Sequence, residues 1–176
     1  MITRMTAHQL REYVAGHMEP MRVAKLKQFR KTTLPVAGWK ITSSAGKRGH
    51  LETITRLLIP AGSTVFVGDT DGYANQSYLY RQFRANRAVV LSNYAVNRPG
   101  REELNEIKKN GSPFEIPTYQ NPDYSVQCTL SIHDPTFEYR AGETVVPRGR
   151  DFSLDEGYYG PGIHFCIDIY DALTFT

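Results

Sequence analysis

The stretch VAGWKIT, residues 36–42, followed after a basic turn by LETITRLLIPAG, residues 51–62, decides the fold class. Val, Ile, Thr and Trp dominate the first run and β-branched residues and Leu the second. Pro60-Ala61-Gly62 then ends it, which is how strands bounded by turns are written in sequence. Toward the C-terminus the same pattern predicts strands over 64–67, 88–93, 125–132, 137–140, 144–146 and 163–169. Clusters with Gly or Pro, such as Gly68-Asp69-Thr70-Asp71-Gly72, separate them. One helix interrupts over 101–109. Pro99-Gly100 precede it, Glu102 and Glu103 favour its first turn, Lys108 and Lys109 favour its last, and Asn110-Gly111 supply a stop. Residues 112–124, rich in Pro, Asn and Tyr, read as a long loop. Toward the N-terminus, Thr6 and Gln9 form a capping-box pair, Leu10, Tyr13 and Val14 follow at helical spacing, and Gly16 closes that helix. Pro20 then opens a second helix, with Val23, Leu26 and Phe29 or Arg30 on successive turns. The expected fold is α+β: a mostly antiparallel β domain over residues 36–176 behind a short, basic helical N-terminal extension over residues 1–35. No internal repeat or low-complexity tract breaks this plan.

A chain of 176 residues suits one domain, and 40% hydrophobic with 22% charged residues excludes wholesale disorder. No uncharged apolar stretch approaches the ~20 residues that span a bilayer, so no membrane partner is expected. Arg4, Arg11 and Glu12 occupy the region where a signal peptide would be apolar, so secretion by such a signal is not expected either. The two cysteines, Cys128 and Cys166, lie too far apart for a knuckle, and the five histidines show no ligand spacing, so neither a metal nor another cofactor is implied. The net charge of +3 is unevenly spread. Residues 1–50 hold ten Lys/Arg against two acids, and residues 51–176 hold eleven against sixteen. Arg22, Lys25, Lys27, Arg30, Lys31, Lys47 and Arg48 belong to an acid-free run that also contains Lys40. They form a candidate polyanion-binding segment, for nucleic acid or an acidic protein surface.

Gly160-Pro161-Gly162-Ile163-His164-Phe165-Cys166-Ile167-Asp168-Ile169 is the stretch richest in chemistry. Read as a strand, it places Ile163, Phe165, Ile167 and Ile169 on one face and His164, Cys166 and Asp168 on the other. An imidazole beside a thiol is the usual way to make a thiolate nucleophile. The competing reading makes His164 a hydrogen-bonding member of a second packed layer, with Cys166 as filler.

Four blocks occur in order: Leu57-Leu58-Ile59-Pro60-Ala61-Gly62, Arg84-Ala85-Asn86-Arg87-Ala88-Val89-Val90-Leu91, Phe137-Glu138-Tyr139-Arg140-Ala141-Gly142-Glu143-Thr144-Val145 and Gly162-Ile163-His164-Phe165. In this the chain resembles an uncharacterised domain of bacteriophages, giant viruses and some bacteria, often found beside pentapeptide repeats. The resemblance covers about residues 36–173. The chain departs from it in Tyr158-Tyr159 where a cysteine is expected, in Cys166 where an aromatic stands, and in an insertion around 92–124. It implies a viral setting, in host cytoplasm or virion, rather than a mechanism. Tyr159-Gly160-Pro161-Gly162-Ile163-His164-Phe165 is also similar to the nicotinamide-pocket block of poly-ADP-ribosyltransferase-like enzymes. In that comparison His164 replaces the stacking tyrosine, and both the upstream His motif and a later glutamate are missing.

Ser44-Ala45-Gly46-Lys47-Arg48-Gly49 has the composition of a phosphate loop without its spacing, and Asp69-Thr70-Asp71-Gly72 with Asn75 reads as a turn. Tyr78, Tyr80, Arg81, Phe83, Arg84 and Arg87 interleave rings with guanidinium groups, a mixture that either stacks on bases and grips phosphates or packs its aromatics inward with the arginines exposed. The functional expectation is a non-enzymatic viral or phage accessory or structural protein that binds a macromolecule. A protein partner or self-association leads, with nucleic acid through the basic N-terminal third as the second partner class. The alternative is a nucleotide-binding protein or ADP-ribosyltransferase-like enzyme, for which His164, Cys166, Tyr159 and Arg140 are the candidate catalytic residues.

Overall fold

The computed structural model of the protein describes residues 5–22, 28–44, 52–68, 82–96, 100–110, 127–148, 151–154 and 160–174. These residues form an α+β fold built on one large antiparallel sheet. Helix α1 (Ala7–His17) opens it. Its capping box is complete, the Thr6 side chain accepting from the Gln9 amide at 3.2 Å and the Gln9 side chain accepting from the Thr6 amide at 2.8 Å. The helix runs one residue past Gly16, with Met18 as its C-cap.

The second helix expected from Pro20 onward is not formed at either of its described ends. Met18–Pro20 is strand β1 and Phe29–Thr32 is strand β2, paired antiparallel from Met18↔Thr32 to Pro20↔Arg30. Residues 23–27 lie outside the described set, and with them Val23, Lys25, Leu26 and Lys27. The physical reason for the correction is burial. Phe29 and Thr32 are needed inside the sheet, where Phe29 pairs with Phe66 and the Thr32 hydroxyl donates to the Pro60 carbonyl at 2.7 Å.

The strands expected from Val36 onward form: β3 (Val36–Ser44), β4 (Glu52–Ile59), β5 (Thr64–Phe66), β7 (Ala88–Ala95), β8 (Cys128–Ser131), β9 (Glu138–Arg140), β10 (Thr144–Val145) and β11 (Ile163–Cys166). Strand β6 (Gln82–Ala85) and the N-terminal pair β1 and β2 come in addition. Helix α2 (Arg101–Asn110) falls at its expected place, and α3 (Ile169–Thr174) ends the described chain. The main path of the sheet runs β1-β2-β5-β6-β11-β3-β4-β7-β10, and β8 pairs with both β3 and β9.

Alternation along the strands separates two cores. On one face Leu57, Ile59, Val65, Phe83, Val90, Tyr139, Ile163 and Phe165 join Leu10 and Val14 of α1. On the other, Ile41, Ile54 and Cys166 pack with Tyr170 and Leu173 of α3. Gly38 is required at the first: a Cβ there would lie 2.5 Å from the Phe165 ring. Beyond Leu57 that inner face turns polar. The hydroxyls of Thr42, Thr53, Thr55 and Thr129 bond in a chain of 2.7–3.0 Å links, and Asn93 accepts from Thr55 at 2.7 Å. Each buried hydroxyl therefore has a partner, as burial demands.

Candidate functional site

Strand β3 changes neighbours halfway along one edge. Its first half meets β11, through the single pair Cys166↔Trp39, and its second half meets β8, from Thr42↔Ser131 to Ser44↔Thr129. Between these two partners the sheet forks, and Lys40 and Ile41 stand at the fork. A cleft of about 560 Å³ opens there, lined by Lys40, Gln82, Ser131, His133, Phe137, Tyr139, Arg148 and the segment Gly160–His164, with Asp134 the one acidic residue among them. The size suits a small ligand, and polar groups converging in a cleft with apolar walls are what a binding site needs.

The floor is built from buried side chains. Lys40 is 7% exposed, Tyr139 3%, and Phe137 and Ser131 are also buried. The Lys40 ammonium lies 5.7 Å from the centre of the Tyr139 ring and the Arg148 guanidinium 5.6 Å from the Phe137 ring. The two rings are themselves 5.1 Å apart. Two cations thus rest on two adjacent aromatic faces, an arrangement that supports charge without neutralising it. Among the described residues Lys40 has no carboxylate partner. Burial drives its pKa down from the ordinary lysine value to about 8, against a smaller upward pull from Cys166. His133, on the rim, is held below the ordinary imidazole value by desolvation and by Lys40. Burial pushes the Tyr139 phenol well up, so it stays protonated and acts as a ring rather than an acid.

The stretch 160–169 supplies one wall. His164 is half-buried and lines the cleft, while Cys166 is buried and reaches only an adjoining space of about 10 Å³, which Lys40, Gln82, His133 and His164 also border. That space holds roughly one water. Neither cysteine is in a disulfide. The expected alternation to Ile169 is cut short. The strand ends at Cys166, and Asp168 turns the chain into α3, accepting from the Tyr170 amide at 2.8 Å and from the Met5 amide at 2.8 Å.

The remaining candidates scatter. Arg140 is exposed, pairs with Glu138 at 2.9 Å and Glu143 at 3.7 Å, and does not line the cleft. Tyr159 lies outside the described residues, as do Lys25, Lys27, Lys47 and Arg48 of the basic segment. Arg22 and Lys31 are exposed, whereas Arg30 is half-buried and donates to the Phe29 carbonyl at 2.9 Å. Residues 45–50, Asp69–Gly72, Asn75, Tyr78, Tyr80 and Arg81 are outside the described set too.

Of the ring-and-arginine stretch, Phe83 and Arg84 are fully buried in β6. Arg84 reaches 4.7 Å from the Phe152 ring centre, 5.1 Å from Phe66 and 5.7 Å from Phe29, and donates to the carbonyls of Pro161 at 2.7 Å and Ser153 at 2.9 Å. It is a structural cation that clamps the cleft wall. A Cβ on Gly162 would overlap Arg84 Cγ and sit 2.9 Å from Cδ, which explains that glycine without a ligand. The other blocks quoted above are joints of the same sheet. Arg87 donates to the Ala61 carbonyl and the Ser63 hydroxyl, both at 3.2 Å, and Asn86 accepts from the Thr64 amide at 3.0 Å. Gly142, at φ +88°, turns β9 into β10 and donates to the Val90 carbonyl at 2.8 Å.

Lys40 is the site residue that sequence reasoning placed only within a basic run. The signal that singles it out is its even-numbered position in VAGWKIT, where it shares a strand face with Val36 and Thr42. Among the described residues no cluster of metal-ligating side chains occurs, and no helix is long and apolar enough to cross a membrane. No family model, curated protein or solved structure matches the chain, so the functional reading rests on this geometry.

Proposed function

We propose that this protein is a binding protein, not a turnover enzyme, and that its ligand is a small anion held in the cleft at the sheet fork. One observation carries the reading: a lysine more than nine-tenths buried lines a cleft of about 560 Å³ with no carboxylate among the described residues to neutralise it. A buried charge without a counter-charge is costly, and an anionic ligand removes that cost by supplying the missing partner. Arg148, His133 and His164 add donors around the opening, and Phe137 and Tyr139 offer apolar surface to the rest of the ligand. Carboxylates, phosphate esters and nucleotides all have this chemistry.

The test is a thermal-shift series with phosphate, dicarboxylates, nucleoside monophosphates and NAD, on wild-type protein and on Lys40→Met and Arg148→Ala. A ligand present at one hundred times its Kd stabilises the native state by about 3 kcal/mol, so even a weak site registers at millimolar ligand. At least one anion should raise the wild-type Tm, and the increment should vanish in Lys40→Met and shrink in Arg148→Ala. No increment with any anion, or the same increment in Lys40→Met, overturns the reading. Stabilisation by DNA alone, lost with added salt, would instead assign the function to the basic segment.

A further inference from the structure

We infer that Lys40 does more than hold an anion: it captures the carbonyl group of an anionic aldehyde or ketone as a covalent imine. The inference rests on the reading of the cleft as an anion site and adds the class of ligand that the site takes.

Three features of the fork lead to it. Among the described residues the Lys40 amine is the one lysine nitrogen lining the cleft, and it sits on the inner face of β3 with the Tyr139 ring beside it. No carboxylate ties the amine down among the described residues, so its nitrogen lone pair is not committed to an ion pair once the proton leaves. A second cation, Arg148, stands on the adjoining Phe137 ring, where it can hold the carboxylate or phosphate of a ligand whose carbonyl faces Lys40. One cationic side chain would then orient the ligand and the other react with it, which is the positioning that intramolecular-like addition requires.

The protonation state agrees with this geometry. With its pKa lowered to about 8, about a quarter of Lys40 is neutral at pH 7.5, against about one part in a thousand for an ordinary exposed lysine. The step balances without any further reactant. The neutral amine nitrogen adds to the carbonyl carbon to give a carbinolamine. The carbonyl oxygen then leaves as water, carrying both hydrogens that the amine brought, and a C=N bond remains. Among the described residues, the titratable and charged groups facing Lys40 are Cys166 and His164 from β11, Tyr139 from β9, His133 and Asp134 from the turn after β8, and Arg148. Of these, Asp134 alone is an acid with a low pKa, and it is exposed on the rim.

The experiment uses the full chain, glyoxylate as the probe, and cyanoborohydride to reduce any imine to a stable carboxymethyl-lysine, followed by peptide mapping. Lys40 should be modified at pH 7.5 about one hundredfold faster than the mean of the six other lysines. Its rate should climb with pH and level off above about 8. Glycolate, which has the carboxylate and no aldehyde, should slow the reaction by competition. Lys40→Arg should lose the labelled site without raising the label on the other lysines. Label spread evenly over the lysines, or absent from Lys40, overturns the capture. If glycolate still stabilises wild type in that case, the anion reading survives alone. If uncharged acetaldehyde labels Lys40 as fast as glyoxylate does and glycolate gives no protection, capture stands and the anion reading falls.

Discussion

Lys40 is a charged residue at a position where the strand pattern calls for an inward-facing side chain, and this fixes the sign of its effect on stability. Its folded pKa, about 8, lies below the 10.5 of an unfolded chain, so between these values the unfolded state binds more protons. Stability from this site therefore rises with pH from about 8 upward and is at its lowest below 8. The rise is curtailed near pH 10, where tyrosine ionises in the unfolded chain but the buried Tyr139 does not. A gap of that size corresponds to about 3 kcal/mol. Lys40→Met, which keeps the aliphatic length, should accordingly be more stable than wild type at pH 7 by up to about 3 kcal/mol, and should lose the increase between pH 8 and 10. Urea titrations of both proteins at pH 7 and pH 9.5 measure this directly. The His133 imidazole, depressed in part by Lys40, should titrate closer to its ordinary value in the variant, which proton NMR can follow. A wild-type stability flat from pH 7 to 9.5 would mean that Lys40 is not desolvated at the fork.

Simple periodicity makes some elements legible in the sequence, and tertiary contact hides others. Strands β3, β4 and β7 are long and β-branched, and the capping box of α1 is a local hydrogen-bond device, so each carries its own signal. Strands β1 and β2 carry none, because Pro20 followed by Val23, Leu26 and Phe29 at helical spacing has the pattern of a helix start, while it is pairing with β5 that holds β2 as a strand. Strand β6 was masked by its own composition, since Arg84 in QFRA looks like surface until its three aromatic neighbours are known. In the same way, the alternation of 163–169 held only to Cys166, because Asp168 caps α3 and ties down the Met5 amide instead of facing His164. Of the site, the Gly160–His164 wall was legible, while Lys40, His133 and Arg148 meet it only through the fork. The packing of β11 on β6 yields the prediction at this scale. Gly162→Ala drives a methyl group into the Arg84 stem, and Arg84 cannot retreat from Phe29, Phe66 and Phe152. It should cost about 1–3 kcal/mol as an overpacked site. Most of that loss should be absent when Arg84 is already Met, a coupling that a double-mutant cycle reads out. Equal losses in both backgrounds would show that Arg84 is not what the glycine accommodates.

At the scale of the molecule, the N-terminal segment is bound to the rest through three kinds of contact. Leu10 and Val14 of α1 enter the same core as Leu57, Phe83 and Phe165. The β1–β2 pair continues the main sheet through β5, with Thr32 sealing the turn at Pro60 and Ser63. The Met5 amide donates to Asp168, beside the last helix, so the two ends of the described chain hold each other. A helix whose apolar stripe joins a common core belongs to the cooperative unit, and a sheet missing its first strands leaves a raw edge at β5. Leu10→Ala should therefore lower global stability by about 2–5 kcal/mol, the range for a fully buried leucine, rather than merely fray the first helix. Calorimetry should show a single transition in wild type and a single, lower one in the variant, with the amides of β4 and β11 losing as much hydrogen-exchange protection as those of α1. Two separate transitions, or protection lost in α1 alone, would make the first 17 residues an independent appendage. In that case the cleft would stand without them, since none of its described lining residues comes from that segment.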